Sequence, residues 1–231
     1  MKVGFFDSGV GGTCILRAFQ ALCPGVETAY LADTPHCPYG NRPPEEIRRL
    51  SEACVKKLLS QGCQMVVIAC NTATAAAVDY LRAKYADVPF VGLEPALKPA
   101  VLRSKTGVVG VLATAGTFAG RLYGETKARF AKRTVVLAVV ADEFVDIVER
   151  TVGRGRPATG PRVEAAVRAR IEPLLRAGAD KIVLGCTHFP HLKGVIEAVC
   201  AGRAEVIDPS DAVARQAKRI LEERGWLKEA P

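Results

Sequence analysis

Long hydrophobic runs, paired cysteines, histidines and aromatics are all scarce in this 231-residue sequence. The longest uncharged apolar stretch, Val135 to Ala141, is far shorter than the roughly 20 residues a membrane helix needs. At the N-terminus, Asp7 interrupts Met-Lys-Val-Gly-Phe-Phe before a signal-peptide core can form. A cytoplasmic chain with no membrane partner is therefore expected. Eight cysteines occur at 14, 23, 37, 54, 63, 70, 186 and 200, with no Cys-x-x-Cys pair among them. That spacing argues for free thiols over a disulfide framework and against structural zinc held by paired ligands. Aromatics are only 6%, and none falls in the basic run Arg150–Arg176, so no platform for stacking bases is visible. Nucleic acid is disfavoured as a partner on that ground, although Lys and Arg outnumber Asp and Glu by 32 to 24. What is present is ordinary for a globular protein: 49% hydrophobic and 24% charged residues.

Short apolar runs alternate with amphipathic ones along the whole chain. Strands are predicted at Val3–Phe6, Thr28–Ala32, Met65–Ala69, Phe90–Leu93, Val108–Leu112, Val135–Val140, Ile182–Leu184 and Val206–Ile207. A helix over Pro44–Ser60 puts Ile47, Leu50, Cys54, Leu58 and Leu59 on one face, with prolines at its start and Gly62 after its end. Such alternation specifies parallel sheet covered by helices. Three strand-end strings also occur twice. Val3-Gly-Phe-Phe-Asp-Ser-Gly pairs with Val108-Gly-Val-Leu-Ala-Thr-Ala-Gly, Val66-Val-Ile-Ala-Cys-Asn-Thr with Ile182-Val-Leu-Gly-Cys-Thr-His, and Leu93-Glu-Pro with Ile207-Asp-Pro. The fold class expected is α/β, as two pseudo-symmetric parallel-sheet domains with the active site between them. Residues 1–95 plus 208–231 would form the first domain and 96–207 the second. Gly153–Pro161 is the one loop rich in breakers.

Ligands of parallel sheets lie beyond the carboxyl ends of the strands, and chemistry is sought there. Cys70 and Cys186 each end a strand and are expected near the N-termini of following helices, where free N–H groups favour a thiolate. Facing each other across two halves, they could flank one carbon, one removing a proton while the other delivers one to the opposite face. Two buried core cysteines is the competing reading. Asp7 with Ser8, and His188, supply a proton partner for each thiol. Cys186, His188 and His191 also have the types of zinc ligands, without an evident fourth. Gly9-Val-Gly-Gly lacks the third glycine of a dinucleotide loop, since position 14 is Cys14, but suits a backbone nest for a carboxylate. Pro38-Tyr39-Gly40 and Asn71-Thr72 add further donors suited to an acidic substrate.

Five blocks together resemble the signatures of the glutamate racemase family: Phe6-Asp-Ser-Gly-Val-Gly-Gly, Asp33-Thr34 with Pro38-Tyr39-Gly40, Ala69-Cys-Asn-Thr-Ala, Glu94-Pro95 and Leu184-Gly-Cys-Thr-His-Phe-Pro. The resemblance spans nearly the whole chain in the right order. It implies an amino-acid racemase without cofactor or metal, with Cys70 and Cys186 as acid/base thiols assisted by Asp7 and His188. It implies substrate contacts from Asp7, Ser8, Pro38, Tyr39, Gly40, Asn71, Thr72, Thr114, Gly116, Thr117, Thr187 and His188, with Glu149 as an auxiliary group. Interconversion of L- and D-glutamate for peptidoglycan synthesis follows from it. So does a small acidic amino-acid substrate; a homodimer is a further expectation, and a gyrase contact is disfavoured with nucleic acid. The chain departs from the family in three respects. His36 stands where an arginine is usual, Ala-Asp-Glu-Phe-Val-Asp begins the segment 141–148, and the second half is short. The first two motivate aspartate or another amino acid as the alternative substrate. A binding or regulatory protein with little catalysis is the alternative of a different class.

Overall fold

The computed structural model describes residues 1–227, so the last four residues of the stretch 208–231 lie outside the described residues. The first half runs β1 (Lys2–Asp7), α1 (Thr13–Leu22), β2 (Glu27–Ala32), α2 (Pro44–Ser60), β3 (Met65–Ile68), α3 (Asn71–Lys84) and β4 (Phe90–Val91). The chain continues through α4 (Leu97–Arg103), β5 (Val108–Ala113), α5 (Ala115–Phe118), α6 (Arg121–Phe130), β6 (Val135–Val140), α7 (Glu143–Thr151) and α8 (Pro161–Arg176). It closes with β7 (Lys181–Leu184), α9 (Lys193–Cys200), β8 (Glu205–Ile207) and α10 (Ser210–Glu223). The strands form two four-stranded sheets, ordered β2-β1-β3-β4 and β6-β5-β7-β8, and every pairing is parallel. One topology is thus used twice, as the paired strand-end strings anticipate.

Each sheet is covered on both faces because alternate strand residues point opposite ways. On β1 and β3, Val3, Phe5, Met65 and Val67 pack against α1 and α10, while Phe6, Val66 and Ile68 pack against α2 and α3. In the second half, Leu112, Ile182 and Leu184 join the core under α7, α8 and α9, and Val109, Val111 and Val183 join the one under α4. Cys70 and Cys186 continue the even-numbered rows 66, 68 and 182, 184, so the period of two sends both thiols to matching positions. Helix α2 buries Ile47, Leu50, Cys54 and Leu58 as patterned. Full burial of a side chain such as Leu58 stabilises by about 1.5–3 kcal/mol. Leu59 lies at the edge of that face, partly buried.

One local expectation needs correction. Strand β4 stops at Val91, short of Leu93, because the Leu93 N–H donates to the Thr74 hydroxyl at 2.9 Å instead of extending the ladder. Within the basic run of 150–176, Arg170 pairs with Glu143 of α7 and Arg168 with Glu164 on its own helix. Among the described residues no helix is long and apolar enough to cross a membrane.

Candidate active site

The strand ends of both sheets meet at one crevice. Asp7, at the end of β1, is fully buried. Its Oδ1 accepts the Ser8 N–H at 2.7 Å, and its Oδ2 accepts the Gly12 N–H at 2.6 Å and the Thr187 hydroxyl from the other half at 3.0 Å. Burial nevertheless raises Asp7 above the ordinary carboxylate range, outweighing the nearby His188 charge and these hydrogen bonds. The glycine run does build a nest for carboxylates, but they are the protein's own. Besides the Ser8 and Gly12 donors on Asp7, Val10 N–H donates to Glu149 Oε1 at 2.8 Å. Close approach explains two of the glycines. A Cβ on Gly9 would lie 1.8 Å from Glu149 Oε1, and one on Gly11 would lie 2.5 Å from His188 Nδ1.

Cys70 is the N-cap of α3, its sulfur accepting the Ala73 N–H at 3.4 Å with Ser8 Oγ 3.8 Å away. The helix N-terminus does favour the thiolate through the Ala73 N–H, but it does not decide the balance. Burial, with the Asp7 carboxylate beside it, pushes the Cys70 thiol well above its ordinary value, and the helix N–H and Ser8 offset only part of that. Next to it the Asn71 side chain is buried, and neither its amide nitrogen nor its oxygen has a partner within the protein. Its hydrogen-bonding capacity is thus available to whatever enters the cavity it lines.

Cys186 does not sit at an α-helix N-terminus as expected; a 3-10 turn, Phe189–Leu192, separates it from α9. Its neighbour is instead His188, with Nδ1 3.8 Å from the Cys186 sulfur and Nε2 2.7 Å from Glu149 Oε1. Burial works against the charged imidazole, yet the surrounding Cys186, Cys37 and Glu149 groups outweigh it and hold His188 well above its ordinary value. Glu149 responds in the opposite sense. Partial burial is outweighed by the His188 hydrogen bond and the Val10 N–H, leaving it below its usual range. Three threonines close the wall, Thr114 Oγ1 lying 2.9 Å from Thr72 Oγ1 and 3.0 Å from Thr117 Oγ1.

One small cavity is lined by Cys70, Cys186, Ser8, Pro38, Tyr39, Gly40, Asn71, Thr72, Thr114, Thr187 and His188. Asp7 lies buried behind Ser8, Glu149 behind His188, and Thr117 behind Thr114. Gly116 lines a separate cavity of about 710 Å³ next door, which shares Gly40 and Thr72 with the first. His36 is not brought to the cavity: its Nδ1 lies 2.8 Å from Asp33 Oδ1, and Asp33 Oδ2 in turn accepts the Tyr39 hydroxyl at 2.6 Å. The zinc grouping of Cys186, His188 and His191 does not form. His191 Nε2 turns to Thr13, Cys14 and the Gly11 carbonyl. Sequence reasoning passed over Asp33, Cys37 and Val145 as site residues. Asp33 was within reach, because it follows directly on the end of β2. Cys37 and Val145 carry no local signal and arrive only through the packing of the two halves.

The family described as Asp/Glu/Hydantoin racemase matches residues 13–217. Among similar proteins, the glutamate racemase of Roseiflexus sp. (strain RS-1) is 42% identical over 226 residues, covering 98% of this chain and 81% of that protein. That of Herpetosiphon aurantiacus is 46% identical over 219 residues, covering 95% and 84%. The crystal structure of Escherichia coli glutamate racemase, in complex with L-glutamate and the activator UDP-MurNAc-ala, superposes with a TM-score of 0.87 at 33% identity. That superposition covers 96% of this chain and 82% of that one. A Bacillus anthracis glutamate racemase gives a TM-score of 0.85 at 27% identity, covering 98% and 84%.

Proposed function

The chain belongs to the Asp/Glu/Hydantoin racemase family, and on that premise we propose that it interconverts L- and D-glutamate with Cys70 and Cys186 as the two acid/base groups. One observation carries the reading: two thiols from equivalent strand ends of topologically identical halves line the same small cavity. With the substrate Cα between them, one thiolate takes the α-proton as the C–H bond breaks. The bonding pair moves into the carboxylate as an enolate, and the opposite thiol donates a proton to the other face, inverting the centre. Each sulfur is base for one enantiomer and acid for the other.

The surroundings divide this work. Asp7, raised by burial, takes the Cys70 proton and returns it. His188, held as an imidazolium by Cys186, Cys37 and Glu149, works in the opposite order. It gives its Nδ1 proton to the Cys186 thiolate left after that thiol has protonated Cα, and takes it back when Cys186 must act as base. The unpaired Asn71 amide, with Ser8, Thr72 and Thr187, binds the substrate's carboxylates and ammonium. Among such buried side chains, fixed donors stabilise developing enolate charge more than bulk water can. Residues 1–95 with the C-terminal stretch from 208 act as one domain and 96–207 as the other. The D-glutamate formed supplies peptidoglycan synthesis in the cytoplasm.

Circular dichroism against a panel of single-enantiomer amino acids tests substrate and activity together; glutamate should respond, and a preference for aspartate would overturn the assignment. In deuterium oxide, early product from either enantiomer should carry solvent deuterium while recovered substrate does not. Equal early labelling of both would point to one base. Cys70→Ala and Cys186→Ala should each lower kcat by about 10³-fold or more.

A further inference from the structure

Behind the catalytic cavity, three side chains of differing chemistry converge where the two halves meet. Cys37 comes from the loop after β2, Glu149 from α7 and His188 from the turn after β7. Their donor atoms all lie within 4.8 Å of one another. The space is cleared by a missing side chain: a Cβ on Gly9 would stand 2.7 Å from the Glu149 carboxyl carbon and 3.1 Å from the Cys37 sulfur. We propose that Cys37, Glu149 and His188 form an inhibitory site for a thiophilic divalent cation of the zinc class.

One sulfur, one imidazole nitrogen and one carboxylate oxygen are all accepted zinc donors, and three protein ligands plus a water is the usual open arrangement. Bond lengths of roughly 2.0–2.3 Å to these atoms put tetrahedral ligands about 3.3 Å or more apart. The 2.7 Å contact between His188 and Glu149 therefore opens by a little over half an ångström to admit the ion. Charge balances, since a thiolate and a carboxylate neutralise a dication, so a closed interior can hold the assembly. An outer shell already exists: Val10 N–H holds Glu149, and the second nitrogen of His188 faces Cys186. Binding expels the Cys37 thiol proton and the His188 Nε2 proton, so affinity rises with pH. An imidazole ligated at Nε2 cannot exist as the imidazolium that the Cys186 side of the reaction uses. Inhibition rests on the proposed racemase reading; metal binding does not.

The two parts are tested separately. In the Cys70→Ala/Cys186→Ala double variant, cobalt(II) should produce one equivalent of thiolate-to-metal charge-transfer absorption that zinc competes away. Adding Cys37→Ser should abolish it, with thermal melting checking that the variants are folded. In the unsubstituted protein, zinc should inhibit racemisation reversibly, with chelator restoring the rate. Cys37→Ser, compared with its own metal-free rate, should need at least tenfold more zinc. Absence of the absorption from the double variant, its survival after Cys37→Ser, or unchanged zinc sensitivity in the single Cys37→Ser variant overturns the site. Cobalt binding in a chain without glutamate activity would leave the site standing and remove the racemase reading alone.

Discussion

Glu149 and His188 depart from ordinary acidity in opposite directions although burial opposes both charges: Cys186, Cys37 and Glu149 raise His188, while His188 and the Val10 N–H lower Glu149. The sign of each contribution to stability follows. The lowered acid stabilises the fold above its ordinary 4.5 and loses that contribution as pH falls through its folded value. The raised histidine stabilises fully below its ordinary 6.5 and loses its contribution as pH climbs through its folded value. Both are fully present together between those two ordinary values. Glu149→Gln keeps the shape but removes the charge. A charge-assisted hydrogen bond contributes about 1.5–3 kcal/mol, equivalent to about one or two pH units. The alkaline limb of kcat/KM should therefore move acidward by about that much, and an NMR titration of the His188 ring should move with it. An unmoved limb would remove Glu149 from the proton pathway.

At the scale of elements, the loop between β1 and α1 shows how backbone chemistry becomes catalytic geometry. Gly11→Ala should push His188 and Asp7 aside, since its Cβ would also lie 2.9 Å from Asp7 Oδ2. We expect a cost of about 1–3 kcal/mol, read as a lower melting temperature, and a fall in kcat of at least tenfold. Gly124, exposed within α6 with nothing near its Cβ position, makes the contrast. Gly124→Ala should stabilise by about 0.5–1 kcal/mol with activity unchanged. These elements also mark what sequence could tell. Helix α2 was legible because its apolar spacing, starting prolines and following glycine agree, and the strands because their apolar runs are short and bounded. The end of β4 was not, since it depends on a hydroxyl of α3 taking the Leu93 N–H. The 3-10 turn after Cys186 was missed because Thr-His-Phe-Pro reads equally well as a helix start. The strand-end cysteines do line one cavity together. The acidity of Cys70 did not follow from its place on a helix, because burial and Asp7 come from other elements.

Across the whole molecule, the cavity between the thiols holds about 10 Å³ of free space, enough for roughly one water. An amino acid does not fit that space as it stands, and we expect the halves to separate and then close on it. The two halves approach closely at the loops around Gly40 and Gly116, where a Cβ on Gly116 would be 2.9 Å from the Gly40 carbonyl oxygen and from Thr72 Cγ2. Gly116→Ala should hold the halves ajar, lowering kcat more than tenfold with little effect on melting temperature. Small-angle scattering should show less compaction on adding L-glutamate than in the unsubstituted chain. Two hydrogen bonds span the crevice, from the Thr187 hydroxyl to Asp7 and from the Val10 N–H to Glu149, and both end on carboxylates to which we assign proton handling. Separation severs both at once. On the proposed reading, opening to solvent would therefore disarm the protein, since the burial that raises Asp7 and Cys70 is lost with it.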